Sequence, residues 1–148
     1  MYIIQNEGCE SSSVTLRCII DISFSFAILK ISMEIQKFTE RDRKSWDDFV
    51  AQANNGTIFH TQKFLSYHPT DRFHNHHLII KDRDNTIALL PAIEDNTTII
   101  SHKGASYGGF VLKDGIGIHT IYLMVEHVVH YLKAEGYNWQ SFLKILSL

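Results

Sequence analysis

The sequence is poor in the residues that mark several specialised classes of protein. Of its 148 residues only two are proline and eight are glycine, which excludes a collagen-like or low-complexity chain. The two cysteines, Cys9 and Cys18, are too few for a disulfide scaffold and match no zinc-binding spacing. This sparing use of cysteine predicts a reducing, cytoplasmic setting.

An excess of charge and long apolar runs are also lacking. The formal net charge is −2 at pH 7, so the chain has no basic footprint for direct binding of nucleic acid. No uncharged apolar run approaches the roughly 20 residues that a membrane span needs, and we expect no such span. The first residues contain Glu7 and Glu10 but no Lys or Arg, unlike the cationic start of a secretory signal.

The amino-acid composition is typical of one folded domain. It is 45% apolar and 20% charged, which is typical of a globular chain with a single core. Residues 1–32 form an N-terminal extension that has two interpretations, a native strand or translated upstream sequence before a true start at Met33. We favour the second interpretation, because local sequence signals become mutually consistent only from Met33 onwards.

Residues 33–148 predict a mixed α/β (α+β) domain. A short strand is expected up to Phe38, followed by a helix that Thr39 caps and that Asn54-Asn55-Gly56 ends through residues tolerant of positive φ. Thr61 is placed to cap a second, brief helix. Four strands are expected between residues 77 and 112, and the last two of them, Thr97–Ser101 and Tyr107–Leu112, are expected to pair with each other.

A long helix and a final strand complete the expected element order, β-α-α-β-β-β-β-α-β. The helix follows Gly117 and ends at Gly136. One set of apolar residues at helical spacing predicts the face that it buries: Ile118, Ile121, Tyr122, Val125, Val129 and Leu132. The apolar run Trp139 to Leu148 predicts the last strand.

Metal-ligating and catalytic patterns are weak. His74 and His76 would share one face of a strand and could chelate an ion, but no carboxylate or cysteine lies at ligand spacing beside them. We therefore favour solvated histidines and no metal site. Glu94 is expected in a solvated turn, no nucleophile elbow is visible, and catalytic residues stay unassigned.

The best candidate for ligand binding is the glycine-rich loop from Ser101 to Phe110. Three glycines within six residues allow close approach of the backbone to a ligand, and neighbouring Ser, His, Lys and Tyr side chains add donors for an anion or carboxylate. A glycine-rich hairpin or bulge, with Gly108-Gly109 where strands pack closely, explains the same residues. The residues alone leave both explanations open.

Several segments, taken in order, resemble the landmarks of one GNAT-like acyltransferase family. They are NNGTIFHT (residues 54–61), FLSYH (64–68), LLPA (89–92) and the glycine-rich loop (101–110). This family is related to the Fem-type aminoacyltransferases that build peptidoglycan cross-bridges. The resemblance covers about Met33 to Tyr137. It implies a mixed, mostly antiparallel sheet flanked by helices, incomplete here because family members resemble tandem proteins with two such halves.

The resemblance also implies a function. Residues 33–148 would be the first half-domain, truncated at its C-terminus, and would contribute to a cleft for a small-molecule or peptidoglycan-precursor amine. The donor, acyl-CoA or aminoacyl-tRNA, would be bound mainly by the missing second half. The substrate-binding residues implied are Phe59, His60, Tyr67, His102, Lys103, Ser106, Tyr107, Gly108 and Gly109.

The chain alone is expected to bind no cofactor and to be inactive. It has no Arg/Gln-x-x-Gly-x-Gly/Ala segment at the start of a helix, where backbone amides would hold the pyrophosphate of coenzyme A. Two other hypotheses stay open. One is a non-catalytic binding domain that pairs with a separate partner chain through an exposed terminal strand. The other is a small, self-sufficient N-acetyltransferase that uses acetyl-CoA, against which the missing pyrophosphate segment argues.

Overall fold

The computed structural model describes residues 32–67, 72–101 and 108–138. All of them belong to one compact unit that begins at Ser32. They form a mixed α+β fold of antiparallel strands and a few helices, which confirms the predicted fold class. The expectations for residues 1–31 and for a strand in 139–148 lie outside the described residues.

The region between residues 74 and 112 has six short strands where the sequence predicts four. In chain order the elements are β1 (Met33–Lys37), α1 (Arg43–Gln52), α2 (Gln62–Leu65), β2 (His74–Asn75), β3 (Leu78–Asp82), β4 (Asn85–Leu90), β5 (Ile93–Asp95), β6 (Thr98–Ile100), β7 (Val111–Leu112) and α3 (Ile118–Ala134). Short 3₁₀ turns, Glu40–Asp42 and Ile58–His60, precede α1 and α2.

Both predicted caps are observed, Thr39 as the N-cap of the 3₁₀ turn Glu40–Asp42 that leads into α1 and Thr61 as the N-cap of α2. The backbone N–H and the hydroxyl of Thr39 donate to the Asp42 carboxylate at 2.9 and 2.7 Å. The hydroxyl oxygen of Thr61 accepts a hydrogen bond from the Phe64 N–H at 3.3 Å. Each cap satisfies polar groups that a helical start leaves without partners, so local sequence is enough to place these starts.

The strands form two antiparallel sheets, with the order β1-β3-β4-β7 in the larger and β2-β5-β6 in the smaller. The predicted pairing of Thr97–Ser101 with Tyr107–Leu112 is wrong, because β6 pairs with β5 and β7 pairs with β4. Asn96 adopts φ +56° between β5 and β6. A left-handed residue there allows a tight hairpin, so β6 has its partner before the chain reaches the glycine-rich loop.

Helices cover both faces of the larger sheet. On one face, Trp46 and Val50 of α1 and Leu65 of α2 pack on strand residues, which are Ile79, Leu89 and Val111. On the other face, Met124, Val128 and Leu132 of α3 pack on strand residues, which are Leu78, Ile80, Ala88 and Leu90. Neighbouring residues of one strand enter different clusters because side chains alternate across a strand.

The face that the long helix buries overlaps the predicted one only in part, since Leu132 is buried and Ile121 and Val125 pack on the core. Its buried residues are Leu123, Met124, Val128 and Leu132. Ile118 and Tyr122, which belong to the predicted stripe, are 81% and 59% exposed. Because α3 carries apolar residues around much of its circumference, spacing alone does not select the face that meets the sheet. Gly136, with φ +91°, follows the helix end as predicted.

Asn55 closes the outer edge of the larger described sheet. Its Nδ2 donates to the Phe110 carbonyl at 2.7 Å, and its Oδ1 accepts from the Leu112 N–H at 2.8 Å. The side-chain amide thus supplies the hydrogen bonds that a neighbouring strand would give to β7. It also fixes the segment after α1 beside the chain that leaves the glycine-rich loop.

We expect Asn55→Ala to lower the free energy of unfolding by about 1–2 kcal/mol, because both hydrogen bonds are lost. Asn55→Asp should be no better, since its second carboxylate oxygen would face the Phe110 carbonyl. Asn54→Ala, at the exposed neighbouring position, should change stability by less than about 0.5 kcal/mol. Urea unfolding measures the three variants, and equal stability of the Asn54 and Asn55 variants would contradict the edge-closing role.

Candidate functional site

An apolar groove is formed by the 3₁₀ turn Ile58–His60, α2 and the residues after it. Its volume is about 310 Å³, and the described residues that line it are Ile58, Thr61, Lys63, Phe64 and Tyr67. Ile58 is 69% exposed and Tyr67 is 83% exposed. Large apolar side chains left in contact with water around a concavity are typical of a binding surface. We call this concavity the 58–67 groove.

The wall of the groove is held from behind. The Phe59 ring packs edge-on against the Phe64 ring, with centroids 5.0 Å apart and an interplanar angle of 88°. Trp46, on α1, donates from Nε1 to the His60 carbonyl at 2.7 Å. The predicted residues Phe59 and Tyr67 therefore lie at the groove, Phe59 as a support for a lining ring and Tyr67 as a lining residue itself.

His60 is buried, with only 4% of its surface exposed. Its Nδ1 accepts a hydrogen bond from the Thr57 N–H at 3.1 Å, so the neutral ring carries its proton on Nε2. Nε2 has no hydrogen-bond partner among the described residues. Burial lowers the pKa of His60, because the charged ring would be held away from water. A substrate contact through His60 stays a prediction.

The two ends of the glycine-rich loop meet. The Gly109 N–H donates to the Ser101 hydroxyl oxygen at 2.6 Å, and that hydroxyl donates to the Pro91 carbonyl at 3.1 Å. A Cβ atom on Gly108 would lie 2.8 Å from the Ser101 carbonyl oxygen, so this close approach requires glycine. Gly108 and Gly109 thus close the base of the loop. Their predicted substrate contact is not tested by this geometry.

The other predicted loop residues lie outside the described residues: His102, Lys103, Ser106 and Tyr107. Their assignment to substrate binding stays a prediction.

A series of contacts joins the groove to the base of the loop. The Trp46 ring, which anchors His60, packs on the His77 ring with centroids 5.6 Å apart. His77 Nδ1 accepts from the Ala92 N–H at 3.0 Å, and the preceding residue, Pro91, accepts from Ser101. These contacts thereby connect the 58–67 groove to the base of the glycine-rich loop.

Sequence reasoning missed a cluster of titratable side chains around His76. His76 Nδ1 lies 3.3 Å from the Tyr137 hydroxyl and 3.6 Å from Glu94 Oε2. The expectation that His76 is solvated together with His74 is wrong, because His76 is 5% exposed while His74 is exposed. Strand β2 ends at Asn75, so strand alternation does not extend to His76. No short-range pattern links residues that are 61 positions apart.

The charged groups around His76 have opposing effects on its pKa. Burial lowers the pKa of His76, the positive charge of Lys37 lowers it further, and Glu94 opposes both effects. Lys37 Nζ lies 2.9 Å from Glu135 Oε2. This hydrogen bond raises the pKa of Lys37 and lowers the pKa of Glu135. The cluster therefore ties β1 and β5 to the end of α3 around a neutral imidazole.

Within the described ranges there is no group of three or more His, Cys, Asp or Glu side chains arranged to hold a metal ion. No helix among these residues is long and apolar enough to cross a membrane.

Comparisons with known proteins identify no relative of this chain. No family model matches the sequence, and no curated protein or solved structure is detectably similar to it. The likeness to GNAT-like acyltransferases rests on the four segments named above and stays a prediction.

Proposed function

We propose that this chain forms the first half of a GNAT-like acyltransferase that transfers an acyl or aminoacyl group to an amine in the cytoplasm. The chain supplies one wall of the acceptor cleft, and a second GNAT-like half binds the acyl-CoA or aminoacyl-tRNA donor. The observation that carries the proposal is the 58–67 groove, because all of its lining residues except Lys63 belong to two segments that resemble the family. The helix-covered antiparallel sheet, which the resemblance implies, also supports it.

The chemistry joins the acceptor nitrogen to the donor carbonyl carbon. As the C–N bond forms, the C–S bond of acyl-CoA or the C–O bond of aminoacyl-tRNA breaks, and the departing sulfur or oxygen keeps the electron pair. The nitrogen loses one proton, which the leaving group takes up directly or through a base. The groove contributes binding and orientation of the acceptor. We assign no general base to this chain, because the His60 ring is buried and its acceptor nitrogen, Nδ1, already accepts from the Thr57 N–H.

The start of α3 fits the diphosphate of coenzyme A poorly. Gly117 occupies the N-cap position, and the exposed pair Lys113-Asp114 precedes it. The charges of Lys113 and Asp114 cancel, so this helix start is preceded by no excess positive charge that would attract a diphosphate. This supports a donor site on the second half.

The proposal predicts no turnover by the chain alone. The test incubates it with acetyl-CoA or aminoacyl-tRNA and a panel of amines, with and without the product of the reading frame that follows codon 148. Mass spectrometry should detect acylated amine only when both products are present. Turnover by the chain alone, or a mixture that neither associates nor acylates any amine, would overturn the proposal.

A non-catalytic domain that pairs with a partner chain is the second candidate. The exposed Ile118 and Tyr122 side chains on α3 favour it. The same experiment separates the two candidates, because a stable complex that acylates no amine supports pairing without catalysis.

A further inference from the structure

We infer that the 58–67 groove binds a molecule with a carboxylate next to a compact apolar body, as in an apolar amino acid. The inference depends on the proposed function only in assigning this molecule the role of amine acceptor. The binding preference itself follows from the side chains that line the groove.

The apolar part of the preference comes from the groove's size and walls. The lining is mostly apolar and includes Ile58, Phe64 and Tyr67, and the volume of about 310 Å³ lies at the lower end for small-molecule sites. This suits a body the size of one side chain. The Phe59 ring supports Phe64, and the Ser66 hydroxyl donates to the Gln62 carbonyl at 2.6 Å. Because these contacts hold the wall in place before a ligand binds, little conformational entropy is lost on binding.

The anionic part of the preference comes from Lys63. Lys63 carries the only charge among the described residues that line the groove. Its ammonium group is exposed and forms no ion pair within the described part of the chain. An ammonium beside an apolar wall interacts more strongly with a carboxylate than it does in open water.

The Thr61 hydroxyl and the Asp47 carboxylate, both close to Lys63 in the fold, already have partners. The Thr61 hydroxyl donates to the Ile58 carbonyl at 2.8 Å and accepts from the Phe64 N–H at 3.3 Å. Asp47 Oδ1 accepts from the Gln62 N–H at 2.7 Å. Recognition of a charged ligand group is therefore left to Lys63, which selects a negative charge.

The test is an NMR titration of the full chain with four probes. They are L-phenylalanine, L-phenylalaninamide (which lacks the carboxylate), glycine (which lacks the apolar body) and inorganic phosphate. L-Phenylalanine should shift the backbone amides of residues 58–67 and bind about fivefold more tightly than its amide, the size expected for one exposed ion pair. Glycine and phosphate should bind more weakly than L-phenylalanine, because neither uses the apolar wall.

Matched variants assign the preference to its source. Lys63→Gln should abolish the fivefold preference by weakening the binding of L-phenylalanine, whereas Lys133→Gln, at an exposed position on α3, should leave both affinities unchanged. Tyr67→Ala should weaken both ligands. Equal binding of acid and amide by the unaltered protein, a preference that survives Lys63→Gln, or phosphate binding as tight as that of L-phenylalanine would overturn the inference.

This outcome is independent of the transferase assay. A carboxylate preference together with no acyl transfer would overturn the proposed function alone. Acyl transfer without a carboxylate preference would overturn this inference alone.

Discussion

The Gly56→Ala variant is expected to lose about 3 kcal/mol or more of its free energy of unfolding, enough to leave much of a marginally stable domain unfolded. A Cβ atom at this position would lie 2.0 Å from the Val50 carbonyl oxygen and 3.0 Å from the Val50 carbonyl carbon. Both atoms belong to the backbone of α1, so no side-chain rotation relieves the overlap. Moving α1 instead would disturb Trp46 and Val50 in the core.

Gly117→Ala is the matched control for this prediction. No atom lies within 4 Å of a Cβ built at Gly117, and its φ is −75°, so alanine fits without overlap. We expect a change of less than about 1 kcal/mol, mostly from the weaker N-cap. Urea unfolding followed by circular dichroism compares the two variants. Equal stability of both would show that the close approach of Gly56 to Val50 does not constrain the fold.

Gly56 also shows where sequence reasoning reaches the right position for a different reason. The sequence predicts that Asn54-Asn55-Gly56 ends α1 because such residues tolerate positive φ. The helix does end at Gln52, but Gly56 is not among the described residues with positive φ. What Gly56 provides is space for the chain to fold back on the carbonyl of Val50. That requirement depends on the path of the chain in three dimensions.

Features fixed by near neighbours in sequence could be predicted, and features fixed by distant neighbours could not. Thr39, Thr61 and Gly136 act within three or four residues, and their local roles are all observed. The buried face of α3 depends instead on which of its several apolar sides packs best against the side chains of the sheet. The partner of β6 likewise depends on the hairpin between β5 and β6, which pairs β6 before the chain reaches the glycine-rich loop.

The candidate site was only partly visible in the sequence. Phe59 and Tyr67 were found through a family resemblance, whereas Ile58, Lys63 and Phe64 were not singled out. The spacing of Phe64 and Tyr67 could have indicated a shared surface, since residues three apart lie on one side of a helical segment. Lys63 gave no such signal, because a lone lysine in a short helix is usually a solvated surface residue.

Acidification is expected to destabilise the domain below about pH 6.5, through His60 and His76. Burial lowers the pKa of both rings from the ordinary value of 6.5, and the nearby charge of Lys37 contributes at His76. As the pH falls below 6.5, the unfolded chain takes up protons that the folded chain does not. The free energy of unfolding therefore decreases as the pH falls, by up to about 1.4 kcal/mol per pH unit for each ring, until the folded rings also take up protons.

Asparagine variants separate this effect from general acid sensitivity. His60→Asn and His76→Asn keep an acceptor near the position of Nδ1 but cannot titrate, so each should remove its own share of the slope between about pH 6.5 and 5. His74→Asn and His119→Asn, at exposed positions, should leave the slope unchanged. Glu135, whose pKa is lowered by Lys37, affects stability only at lower pH, because its ordinary pKa is 4.5.

Urea unfolding between about pH 6.5 and 5 measures each slope. A slope that persists unchanged in the His60→Asn, His76→Asn double variant would show that the buried imidazoles are not its source.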